Sequence, residues 1–194
     1  DINPDFYYPR NIGFVVLPLL TIYFARKNSL TLKKNILISL IFLVSLIFIN
    51  LLPEDTKSDT LILSCIHLPV FLWTLLGFAF TGNKLQDHGK RIDFLRYNGE
   101  LIVMTMIILI AGGLLTFITI GLFSLIEINI ADFYFENIVI CGLAASPIVG
   151  TYLIQTNPKL VHKVSHIIAR IFSPLVLITL VIYFIAIVYS GKDP

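Results

Sequence analysis

Apolar residues fall in six long runs along the chain, separated by short polar punctuation: Ile12 to Ala25, Ile36 to Leu52, Leu61 to Phe80, Leu101 to Ile126, Ile138 to Ile154 and Ile167 to Tyr189. Stretches such as "LISLIFLVSLIF" do not alternate polar and apolar positions, as the strands of a closed barrel must. A helix needs about 20 predominantly apolar residues to cross the hydrocarbon of a bilayer. The pattern therefore predicts an all-α fold, a polytopic bundle of about six transmembrane helices. The first run is the shortest and contains Pro18, so it also suits a re-entrant or interfacial segment. The fourth is long enough to tilt or bend.

Composition sharpens this reading. Of 194 residues, 57% are hydrophobic and 13% charged, whereas soluble domains carry about a quarter charged. The placement of charge orients the bundle. Arg26, Lys27, Lys33 and Lys34 lie between the first two runs, Lys84, Lys90, Arg91 and Arg96 between the third and fourth, and Lys159, Lys163 and Arg170 between the fifth and sixth. These alternate connections hold eleven of the 14 basic residues. Cytoplasmic loops carry the excess of Lys and Arg, so both ends of the chain are expected outside. Nine of the 12 acids fall on that outer side. Tyr7, Tyr8, Tyr134 and Tyr189 are expected at the outer interface, and Tyr23, Tyr97 and Tyr152 at the inner one. The chain begins at Asp1 without Met and stops at "SGKDP", which reads as one integral membrane domain (residues 1–194) of a longer polytopic chain.

In "VHKVSH", His162 and His166 stand one helical turn apart, a spacing that metal sites use. A zinc protease needs Glu directly after the first His, and here that position is Lys163. Read as a helix, "NPKLVHKVSHIIAR" puts Lys159, His162 or Lys163, His166 and Arg170 at three- and four-residue steps on one face and apolar residues on the other. That is an amphipathic collar at the membrane surface. "GKRIDFLRYNGE" has the same character, with Lys90, Arg91 and Arg96 around Ile92, Phe94 and Leu95. Both segments suit anionic lipid headgroups, and equally a partner or the remainder of the same chain.

Inside the runs, His67 is an ionisable residue at membrane depth, which makes it a candidate for function or for an interhelical hydrogen bond. Pro69 and Pro147 each remove a backbone N–H and free a carbonyl one turn earlier. Gly142, Ser146 and Gly150 recur at four-residue steps in "CGLAASPIVG", a small-residue stripe that lets another helix approach. Gly112, Gly113, Thr116 and Gly121 of the fourth run are its expected partners. Cys65 and Cys141 belong to no CxxC pair and read as small packing residues. No Asp, Glu, Lys or Arg is expected deep in a helix. The sequence contains no phosphate-binding loop, GxSxG or HExxH motif, no catalytic, cofactor-binding or metal-ligating set, and no nucleic-acid fold signature.

The segments "RYNGELIVMTMIILIAGGLLTFITIGLF", "ENIVICGLAASPIVGTYL" and "ARIFSPLVLITLVIYFIAIVYSGKDP" resemble a bacterial multi-pass membrane family known as a domain of unknown function. The resemblance covers the second half of the chain. It implies a bacterial inner-membrane location and a helical bundle, with further hydrophobic segments after "GKDP", and it supplies no activity.

Three functions fit these features. The leading one is a non-enzymatic membrane scaffold or accessory domain. A transporter part for a small or lipid-like substrate would run its route past the prolines of the third and fifth helices. A membrane enzyme acting on a lipid-linked substrate would gather polar groups such as Glu127, Asp132 and Glu136 on the outer side.

Overall fold

The computed structural model describes residues 4–53, 58–82, 87–156 and 164–190. The described residues are helical, with no strand among them. The helices are α1 (Pro4–Lys27), α2 (Leu32–Leu51), α3 (Asp59–Thr81), α4 (His88–Leu125), α5 (Ala131–Thr156) and α6 (Val164–Ser190). Among the described residues, five helices, α2 to α6, are long and apolar enough to cross a membrane, the last over Phe172–Tyr189. The chain is an all-helical protein of membrane-spanning character. Every helix starts before its apolar run, α1, α4 and α5 by the most, with α5 opening seven residues before Ile138. α1 opens eight residues before Ile12, and α4 opens 13 residues before Leu101 and runs for 38 residues. Backbone hydrogen bonding continues through polar residues as long as no breaker intervenes, while hydropathy stops at the first charge.

The chain forms two compact units, Asp1–Arg96 and Tyr97–Pro194. In the first, α1 and α2 form an antiparallel hairpin. Leu30 N–H returns to the Ala25 carbonyl while Ser29 takes φ 49°, the left-handed closure that ends a helix. α3 packs along α1. Leu72 and Leu75 of α3 meet Phe42 of α2, with Phe14 and Leu17 of α1 and Ile38, Ile41 and Leu68 packed around them. Gly13 of α1 faces this contact with ordinary room for a side-chain carbon. A methyl group at that position would touch Pro69 and Leu72 at 3.6–3.7 Å. At the other end of α1, a chain of rings runs Tyr23–Phe24–Phe80–Phe94–Trp73, with centroids 4.8 to 5.3 Å apart. It joins α1, α3 and the first turns of α4.

In the second unit, Tyr97, Leu101, Met104 and Thr105 of α4 meet α5 around Gly150 and Thr151, and Phe123 of α4 meets Tyr183 of α6 edge to face at 5.7 Å. α4 closes as α1 does: Ile128 N–H returns to Phe123 O with Glu127 at φ 59°. The start of α5 is π-helical over Tyr134–Val139. The Phe172–Tyr189 window of α6 has no buried residue.

Candidate functional site

Polar groups buried among apolar helices mark where a membrane domain either does chemistry or holds itself together. The first cluster lies at the junction of α1 and the end of α2. The last carbonyls of a helix have no intrahelical donor and carry its partial negative charge. Arg10, only 4% exposed, supplies donors to two of them and to the carbonyl just beyond: its Nη1 donates to Ile49 O at 2.9 Å and Leu52 O at 2.8 Å, and its Nη2 to Pro53 O at 2.9 Å. Beside it, the Asn11 and Asn50 amides exchange hydrogen bonds at 3.1 and 3.0 Å. The charge pattern alone leaves Arg10 in an outer connection. It lies in the second turn of α1 and is buried against the end of α2.

The opposite end of α1 repeats the device with an amide. Asn28 Nδ2 donates to Ala79 O at 3.0 Å and Phe80 O at 2.8 Å, covering the carbonyl end of α3. Gly82 closes that helix at φ 66°, ψ −128°, where a side chain is strained and its Cβ would lie 3.2 Å from Asn28 Cβ. Arg10 and Asn28 are 18 residues apart, roughly 27 Å of helix. α1 thus runs the distance between the end of α2 and the end of α3, close to the thickness of a hydrocarbon core.

In the second unit the polar groups line the contact of α4 with α5. Tyr97 and Thr151 hydroxyls are hydrogen-bonded at 2.8 Å and buried, so Tyr97 joins two helices, whereas the sequence pattern suggests an interface ring. Pro147 has no N–H for the Leu143 carbonyl, and the Ser146 hydroxyl donates to that carbonyl at 2.9 Å. α4 comes close at Gly150: a Cβ there would lie 3.3 to 3.5 Å from Leu101, Thr105 and Met104 side chains. Thr105 Oγ1 is buried here without a hydrogen-bond partner.

The small-residue stripe divides at this contact. Ser146 and Gly150 are buried, but Gly142 is exposed and a Cβ on it, or on Gly112, Gly113 or Gly121, meets nothing within 4 Å. α4 approaches through Leu101, Met104 and Thr105, not through its glycines. His67 is exposed, with Nδ1 2.8 Å from Leu63 O of its own helix, and Pro69 packs against Gly13. Lys90 is half-buried, and Arg91 and Arg96 are exposed on the first turns of α4. Lys159, His162 and Lys163 lie outside the described residues, and His166 and Arg170 fall in the first turns of α6. Glu127, Asp132 and Glu136 are exposed. Among the described residues, no three His, Cys, Asp or Glu side chains come together as metal ligands would.

Sequence reasoning missed Arg10 and the Asn pair. A signal was present: in a hairpin folded at Ser29–Leu30, Asn11 and Asn50 stand nearly equally far from the turn, about 18 and 20 residues, and so close to level with one another. Comparison with protein-family models, curated proteins and solved structures gives no match.

Proposed function

We propose that this chain is a non-enzymatic structural domain of a bacterial inner membrane, with its basic connections in the cytoplasm and both ends outside. It packs with the remainder of its chain or with partner helices. The observation that carries the reading is where the buried polar side chains go. Arg10 and Asn28 cap the carbonyl ends of α2 and α3, and Ser146 replaces the donor that Pro147 lacks. Arg10 and Asn28 hold helices to one another and Ser146 satisfies the backbone of its own helix, structural uses that intramembrane polar residues commonly serve. The lysines and arginines of alternate connections support the orientation.

One observation favours a conduit as the second reading. Thr105 Oγ1 is a buried hydroxyl with no partner at the α4–α5 contact, the kind of group that a passing polar solute or water would satisfy. Reconstitution in sealed vesicles separates the two. The structural reading expects permeability to small polar solutes equal to that of protein-free vesicles. Uptake that depends on the protein and disappears in Thr105→Val would overturn it.

A further inference from the structure

We infer that the end of α1 carries a binding site for one anionic phospholipid, its phosphodiester headgroup held by Arg26 and Lys27 and an acyl chain lying against Leu19 and Ile22. The inference rests on the membrane reading above and goes beyond it by naming a site and its ligand. A shallow, open groove along one face of α1 is lined by Leu19, Ile22, Tyr23, Arg26 and Lys27. Its chemistry changes along the helix in the order of a phospholipid. Leu19 and Ile22 are about half exposed and wholly apolar. Tyr23 follows, amphipathic and exposed, at the level where ester groups meet the headgroup. Arg26 and Lys27 close the last turn as adjacent, exposed cations. From Leu19 to Arg26 the helix rises about 10 Å, a distance an acyl chain covers along its upper half.

The wall is built rather than incidental. Tyr23 stands edge-on to Phe24 at 5.0 Å, and Phe24 is buried and packed on Phe80 at 4.8 Å, so the tyrosine is fixed from behind. Charge complementarity selects the occupant. Two cations beside an apolar face suit a negatively charged headgroup, and a zwitterionic one brings its own cation to the same place. Arg presents a planar fork to phosphate oxygens, and Lys adds a point charge.

The test is native mass spectrometry of the whole chain released from detergent micelles holding equal amounts of phosphatidylglycerol and phosphatidylcholine with the same acyl chains. The expected result is a retained phosphatidylglycerol. Each surface cation contributes about fivefold to affinity for anionic lipid, so R26Q/K27Q should weaken retention about thirtyfold. The charge-matched control K33Q/K34Q, in the first turn of α2 and outside the lining, should retain lipid as the wild type does. Ile22→Trp fills the groove with both cations in place and should also reduce retention. Equal loss in both charge pairs, unchanged retention in R26Q/K27Q or in Ile22→Trp, or equal retention of the two lipids would overturn the site while leaving the membrane reading intact. Recovery of the chain as a soluble protein without detergent would overturn both.

Discussion

Replacing Arg10 with methionine keeps the length of its stem and removes its donors. In the folded protein the guanidinium donates to Ile49 O, Leu52 O and Pro53 O, the first bond buried and the other two partly so. A hydrogen bond from a charged group to a buried partner contributes about 1.5–3 kcal/mol, and each partly buried one about 0.5–1 kcal/mol because water competes for the carbonyl. Arg10→Met should therefore cost about 3–5 kcal/mol, with the favourable placement of a cation at a helix C-terminus included in that range. Arg10→Lys retains the charge but not the fork, and should lose about half as much. Trp73, the one tryptophan, packs on Phe94 within the same unit, so its fluorescence reports the loss of that unit's packing. The assay is unfolding of the purified protein by increasing SDS in mixed micelles, followed at Trp73. An Arg10→Met midpoint within about 0.5 kcal/mol of wild type would refute the argument, placing Arg10 among surface side chains whose substitution changes little. Equal loss in Arg10→Met and Arg10→Lys would refute the part assigned to the fork.

Ser146→Ala should cost about 1–2 kcal/mol in the native chain, because the Leu143 carbonyl then has neither a backbone nor a side-chain donor; in a Pro147→Ala background, where the N–H returns, the cost should fall to near zero in a thermal-stability cycle. Gly150→Leu should destabilise by about 1–3 kcal/mol or more by forcing apart α4 and α5, while Gly142→Leu, with open space around it, should stay within about 0.5 kcal/mol in the same melts. A double-mutant cycle of Tyr97→Phe and Thr151→Val should return a coupling of about 0.5–1.5 kcal/mol, and a coupling indistinguishable from zero would remove that bond from the account.

The helices were legible because lipid imposes a simple rule. Every backbone polar group must be satisfied within the segment and every outward side chain must be apolar, so the spanning runs stand out in composition alone. Their ends were less legible. α4 continues through Glu100, Arg96 and Asp93 to His88, since charge ends a hydropathy window but not a helix. Arg10 was illegible for a related reason: its partners are backbone carbonyls, which any sequence provides, and only the folded hairpin brings them to it. The Asn11–Asn50 pair could have been found from its near-symmetry about the turn. The small-residue stripe was read from periodicity, which shows that three residues share a face but not how much of that face a neighbouring helix covers. That depends on the crossing of the two helices, and the crossing reaches Gly150 but not Gly142. The π-helical turn at Tyr134–Val139 has no signature in residue type, because it is an adjustment of hydrogen-bond register along an otherwise continuous helix.

Water access at Ser146 tests the central claim most directly. With Cys65 and Cys141 changed to Ala, Ser146→Cys places a single thiol where α5 meets α4, and Ser124→Cys on exposed α4 serves as the reactive control. Each is treated with a membrane-impermeant maleimide from either side of the membrane. A structural domain predicts that position 146 stays unlabelled from both sides while position 124 reacts from the outside. Labelling of position 146 from either side would contradict the account, because it would put water into the helix-to-helix contact between α4 and α5.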